Sequence, residues 1–254
     1  MKVTFLGTGS AMPTGDRAQT GLLLESESAD PLLVDCGSGV LSALARTEVG
    51  YEGVDTVLLT HHHLDHVSDL MAFYKARWLA GADDLTVVGP AGTRELVEGL
   101  LDVHDYLRGR LELTVREVEA GSFELAGYDV EAVEGVHSMR SFAYRFESGE
   151  IAFTFSGDTE ATAAIADLAD GSVVLAHDCS FPDEVDVSNH PTPSQLGEAL
   201  AGHDIGRVYL THLYPHTDGN HEAMINAVRE RFDGDVRVAR DDLTITLREA
   251  GGLD

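Results

Sequence analysis

The densest chemistry in this chain lies in one run, Thr60-His61-His62-His63-Leu64-Asp65-His66. His61, His63, Asp65 and His66 stand at i, i+2, i+4 and i+5, so three imidazoles and a carboxylate can converge on one point from a loop. Neutral imidazoles and carboxylates are the donors that Zn²⁺ and similar ions prefer. The plainer alternative is a chance histidine run on a solvated loop. The setting argues against chance. An apolar, strand-like stretch over 54–60 leads into the run, and a helix-like stretch over 67–79 follows it.

One loop cannot fill two metal spheres. Three more candidates each follow a β-rich segment: His137 after 128–136, Asp158 after 151–155, and His212 after 208–211. Taken singly, a lone His is usually core or surface, and Gly157-Asp158-Thr159 reads as a turn or helix cap. Taken with the run, these residues complete two sites, because groups at successive strand ends face one edge of a sheet sandwich.

The elements that must position them alternate along the chain. Strands are expected over 3–6, 22–25, 32–35, 54–60, 85–89, 111–117, 122–125, 128–136, 141–147, 151–155, 173–177, 208–211, 236–239 and 243–247. Helices are expected over 67–79, 93–103, 161–168, 192–200 and 221–232. The helix at 192 has a clear start: Thr192 can cap it, Pro193 suits its first turn, and Gln195 completes a capping box. The pattern suggests two packed sheets with helices outside. The length of 254 residues suits one large α/β domain or two small ones; with no linker or repeat, the expectation is a single domain, 1–254.

Composition narrows the function. The hydrophobic fraction of 43% supports a sizeable core. No stretch approaches the ~20 apolar residues that cross a bilayer, and the N-terminus lacks the apolar run of a secretory signal. A soluble, cytoplasmic protein is expected. Cys36 and Cys179 read as two reduced, buried thiols, with a single disulfide as the alternative. Asp and Glu total 44 against 17 Lys and Arg, a net charge of −27, and Lys2 and Lys75 are the only lysines. Such a surface repels itself until salt screens it. The acidic residues are spread over the whole chain, which points to a salty cytoplasm rather than one acidic docking face. It also argues against an extended nucleic-acid groove.

Together these motifs resemble the metallo-β-lactamase superfamily, and within it the ribonuclease Z branch. The match carries Phe5-Leu6-Gly7-Thr8-Gly9-Ser10-Ala11-Met12-Pro13-Thr14, Asp35-Cys36-Gly37, the His-x-His-x-Asp-His run, Ser156-Gly157-Asp158-Thr159 and Thr211-His212-Leu213. The resemblance implies a four-layer αββα sandwich with its site at one edge. It implies that His61, His63 and His137 hold one divalent metal ion, that Asp65, His66 and His212 hold a second, and that Asp158 bridges them. The ions are expected to be zinc, with manganese or iron as alternatives, and a bridging hydroxide is the expected nucleophile. Asp65 is a candidate to orient that water. Asp35 either fixes a metal-bound imidazole or is a turn carboxylate. Asp178 and His190-Pro191-Thr192 resemble the branch's acidic residue and His-Ser-Thr motif, which makes His190, oriented by Asp178, the expected proton donor to the leaving oxygen. Pro191 departs from that motif.

Transfer-RNA-trimming members of this branch carry a long arm between the third His motif and the bridging Asp. The stretch from His137 to Asp158 has no room for one. The expected activity is therefore hydrolysis of a small or single-stranded phosphodiester, on a small molecule or short nucleic acid. The alternatives are a lactone or thioester hydrolase, for which Arg140 and Tyr144 are candidates, a transfer-RNA 3′ endonuclease, or a catalytically silent metal-binding protein. Many relatives dimerise, so a homodimer is an expectation by resemblance. His62 should point away from the metals. His216 reads as a surface-loop residue, as do His104, His177, His203 and His221 as core or surface groups, and Trp78 as core.

Overall fold

The computed structural model describes residues 1–185 and 187–248. The expected 1–254 domain thus ends in residues, 249–254, that lie outside those described. The first sheet takes β1 (Lys2–Gly7), β2 (Gly21–Ser26), β3 (Ala29–Val34), β4 (Thr56–Leu58), β5 (Asp84–Gly89) and β6 (Glu112–Glu117). The second takes β7 (Gly121–Leu125), β8 (Tyr128–Glu134), β9 (Phe142–Ser148), β10 (Ile151–Phe155), β11 (Val174–Asp178), β12 (Arg207–Thr211) and β13 (Asp235–Val238). The last strand, β14 (Leu243–Thr246), returns to the first sheet beside β1, giving the orders β14-β1-β2-β3-β4-β5-β6 and β13-β12-β11-β10-β9-β8-β7.

Strand periodicity explains the layering. Leu22 and Leu24 point into the space between the sheets, where they meet Tyr128, Phe142, Tyr144 and Phe153. Leu23, between them, points the other way, into the layer under the helices. Both faces of the central strands are therefore apolar, as in sheets covered on both sides. On the first sheet lie α1 (Val40–Leu44), α2 (Leu64–Val67), α3 (Leu70–Ala80) and α4 (Thr93–Val103). On the second lie α5 (Ala163–Ala169), α6 (Pro193–Ala199) and α7 (His221–Arg229). The molecule is an αββα sandwich. Among the described residues no helix is long and apolar enough to cross a membrane.

Most elements fall within a residue or two of expectation, and the exceptions have physical causes. The helix expected over 67–79 is broken into α2 and α3. Asp69 N–H donates to Cys36 O at 2.9 Å rather than to the helical carbonyl behind it. Its carboxylate turns outward to accept Gly39 N–H at 2.9 Å and Leu41 N–H at 3.0 Å. Those bonds cap α1, a five-residue helix with no local start signal. The strand expected over 54–60 is paired only as Thr56–Leu58, because Thr60 N–H leaves the sheet for Asp35 Oδ1 at 2.8 Å. The capping box of α6 is present, with Gln195 accepting Thr192 N–H at 2.9 Å.

Candidate metal centre and active site

Strand direction gathers the site. β3, β4 and β5 are parallel, as are β10, β11 and β12, and β8 shares β10's direction because both are antiparallel to β9. Residues at or just past the C-terminal ends of these strands therefore collect at one edge. They are Asp35, the 61–66 run, His137, Asp158, Asp178 and His212. The sheets are tied together there by Phe142 N–H to Thr60 O at 3.1 Å and by Tyr144 O–H to Leu59 O at 3.0 Å. Gly37 lets the β3 loop lie against the histidine loop: a Cβ there would stand 2.0 Å from Asp65 O.

Two adjoining donor groups result, each with its ligand atoms within 4.8 Å of one another: His61, His63, His137 and Asp158, and Asp65, His66, Asp158 and His212. In the first, His63 Nδ1 lies 3.0 Å from His61 Nε2 and 3.1 Å from His137 Nε2. Three imidazole nitrogens so close can share few protons. Their spacing is near the ~3.3 Å edge of a tetrahedron with ligands ~2.0 Å from a central zinc. Asp158 faces both groups: Oδ2 is 3.7 Å from His61 Nε2 and 3.3 Å from His212 Nε2, and Oδ1 is 3.3 Å from His66 Nε2. His66 Nε2 and Asp158 Oδ1 are buried without a hydrogen-bond partner among the described residues. Buried polar atoms left unpaired are costly; a cation between them would satisfy both. The donor set fits two divalent ions.

The opposite ring nitrogens are anchored, as metal-bound imidazoles usually are. His66 Nδ1 meets Asp35 Oδ2 at 2.8 Å, His137 Nδ1 meets Asn189 O at 3.1 Å, and His212 Nδ1 meets Ser180 Oγ at 2.9 Å. Each partner accepts, so the proton belongs on Nδ1 and Nε2 is left for the centre. Asp35 is thus an orienting carboxylate, fully buried.

Electrostatics point the same way. Burial lowers His61 well below the usual imidazole value, and the neighbouring histidines lower it further; His63 is lowered for the same reasons. Burial opposes charge on His66 too, but Asp158 and Asp35 outweigh it and raise His66 to about 10. His212 is raised by Asp158, Asp178 and Asp65 against the same cost. Burial works to raise Asp65 and Asp158, yet His212 and His66 hold both carboxyls low. The second group therefore favours positive charge at its centre, which divalent ions would supply.

Beside the two groups lies a cleft of about 350 Å³ whose walls include Ala11, Leu64, Ser138, His190 and Tyr214. His190 Nδ1 lies 2.7 Å from Asp178 Oδ2, and that carboxylate raises His190 above the usual imidazole value despite partial burial. Ser180 Oγ donates to Asp178 Oδ1 at 2.6 Å and so links the dyad to His212. Tyr214 stacks on Phe181 at 4.5 Å. Burial, together with Asp65 and Asp158, pushes its hydroxyl up to about 12.

The structure thus brings together His61, His63, Asp65, His66, His137, Asp158 and His212, and sets Asp178 and His190 beside them. Tyr144 lies elsewhere: it is fully buried between the sheets. Arg140 is exposed and paired with Glu119 at 2.9 Å. The two groups expected for a carbonyl substrate are a core phenol and a surface ion pair. His62 turns away to Thr93 Oγ1 at 2.8 Å, His216 is exposed, Trp78 is half-buried rather than core, and both cysteines are free and buried. Sequence reasoning passed over Ser180, Asn189 and Phe181 and gave Tyr214 no role; the signal for Ser180 was its place just beyond the end of β11.

Fold and site define a metal-dependent hydrolase of the metallo-β-lactamase superfamily, in its ribonuclease Z-like branch. The family model of the anti-Pycsar protein Apyc1 matches residues 1–227, and the chain belongs to that family. Ribonuclease Z of Mycobacterium avium is 30% identical over 95% of this chain and 96% of its own length. YhfI of Bacillus subtilis, a metallo-β-lactamase fold protein, superposes with a TM-score of 0.83 at 23% identity, covering 96% of this chain and 98% of its own. The short form of human tRNase Z gives 0.77 at 21% identity, covering 97% and 99%.

Proposed function

We propose that the protein is a two-metal phosphodiesterase acting on a small or single-stranded phosphodiester. The observation that carries this reading is the Asp178–His190 dyad standing in the same cleft as the paired donor groups. His61, His63 and His137 would hold one ion, Asp65, His66 and His212 the other, and Asp158 would face both. Divalent ions there, zinc foremost, would supply a water acidified to near neutrality and positive charge against phosphoryl oxygens. The protein's own residues do the rest. Asp65 and Asp158 are carboxylates at any working pH. Asp178 favours the protonated form of His190, and with Nδ1 committed to that carboxylate its Nε2 would be the atom free to face substrate. When the P–O bond to the leaving group breaks, that nitrogen protonates the departing oxygen. The Tyr214 hydroxyl, neutral throughout, can donate to a phosphoryl oxygen.

The substrate class also draws support from the curated relatives named ribonuclease Z. Transfer-RNA trimming is the weaker reading. Between His137 and Asp158 the chain forms only the β9–β10 hairpin, and the charge of −27 disfavours a long polyanion.

The test is hydrolysis of bis(p-nitrophenyl) phosphate in concentrated KCl, using chelated protein with Zn²⁺ or Mn²⁺ restored. Turnover that depends on added metal is expected. Bound metal without turnover would sink the phosphodiester reading and favour carbonyl substrates or a binding role.

A further inference from the structure

Glu160 makes two bonds that join three loops of the site. Its backbone N–H donates to Val136 O at 2.9 Å, directly before His137. Its carboxylate Oε1 accepts Asn189 N–H at 3.0 Å. Asn189 O in turn accepts His137 Nδ1–H at 3.1 Å, and the next residue is His190. Thr159 closes the same knot: Val136 N–H donates to its Oγ1 at 2.9 Å, and Thr159 N–H reaches Asp178 Oδ2 at 3.3 Å. Asn189 sits at φ 70°, in the left-handed region that few residues with a side chain adopt and that Asn enters more readily than most. Among the described residues its side chain reaches only Ser188 Oγ, at 3.2 Å. Neither link through Asn189 therefore uses its side chain; both use the peptide groups that the unusual φ orients.

We propose that Glu160 is a positioning residue. Through the backbone of Asn189 it sets the imidazole of His137 and the loop that carries His190, so one carboxylate aligns a metal donor and the proton donor together. This rests on the reading of His137 as a ligand and His190 as the acid. The geometry explains why an acceptor is needed at 160. Without it Asn189 N–H would be left half-buried and unpaired, and the left-handed turn would lose its restraint.

The test is Zn²⁺ affinity by competition with a chromophoric chelator, a readout independent of turnover. Glu160→Ala and the bulkier Glu160→Leu should each bind Zn²⁺ about 10- to 100-fold more weakly, the usual effect of removing an orienting partner. Glu160→Gln keeps an acceptor oxygen and should stay within about 3-fold of wild type, as should Asn189→Gly, which keeps both peptide groups. Glu160→Ala should also slow hydrolysis of a dinucleotide more than of bis(p-nitrophenyl) phosphate, because only the former needs the acid. Unchanged affinity in both Glu160→Ala and Glu160→Leu would overturn the proposal. So would Glu160→Gln or Asn189→Gly falling as far as Glu160→Ala. His137→Ala in the same titration separates the two readings. Loss there with none at Glu160 leaves the metal site standing and removes the brace; no loss in His137→Ala overturns both.

Discussion

His190 commits Nδ1 to Asp178 and lines the cleft. In the proposed role of acid, its value would depend on the leaving group. His190→Ala should slow a diester with an alkoxide leaving group by about 10²- to 10⁴-fold and an activated aryl diester far less; equal losses in steady-state assays of the two would remove it from that role. Asp158 differs because its oxygens face both donor groups. Asp158→Ala should lower metal content and turnover together, read by atomic absorption beside the activity assay. Activity that survived metal loss would contradict the mechanism.

At the scale of elements, the site depends on loops that lie against one another. Cys36 N–H donates to His66 O at 2.7 Å and Asp69 N–H to Cys36 O at 2.9 Å, so the loop after β3 braces the loop after β4. Gly37 makes that contact possible. Gly37→Ala would drive a methyl to within 2.0 Å of Asp65 O. Backbone must then move, at a cost of about 1–3 kcal/mol by analogy with overpacked cores. Urea denaturation of metal-free protein should show that loss, and chelator competition should show weaker metal binding. Wild-type values in both would mean that the loops adjust freely. This brace was not legible beforehand. The helix read across 67–79 looked continuous because its apolar pattern is continuous, and the bond that interrupts it comes from a loop some thirty residues earlier.

The whole molecule carries a charge of −27. Like charges repel across ~10 Å in 0.1 M salt and only ~3 Å at 1 M. The melting temperature should therefore rise steadily as KCl increases from about 0.1 to 2 M; a flat or falling profile would count against adaptation to salt. The buried histidines set a pH dependence in chelated protein. His66 is raised to about 10 by Asp158 and Asp35 against burial. A group raised on folding stabilises fully below its unfolded value of ~6.5, and that stability is lost as pH rises through the folded value. His212 acts in the same direction. Burial and neighbouring histidines lower His61 and His63, so their contribution is present above ~6.5 and is lost as pH falls. Thermal melts of metal-free protein should peak near pH 6.5 and decline toward pH 10. A plateau across that range would show that the carboxylate–histidine pairs add nothing.

Local pattern in the sequence is enough to give the layers and the candidate donors. The unbroken apolar run Leu22-Leu23-Leu24 dictates a strand buried on both faces, since successive side chains point to opposite sides. The histidine run is legible because its spacing and its place between a strand and a helix are local too. Tertiary structure alone decided how these donors meet: that His63 Nδ1 lies between His61 and His137, that Asp35 rather than a turn occupies His66 Nδ1, and that Tyr144 is core while Tyr214 lines the cleft. Those outcomes depend on hydrogen bonds between residues far apart in the chain. Parallel strands ending at one edge bring such residues together, and no pattern within any single segment encodes which of them will touch.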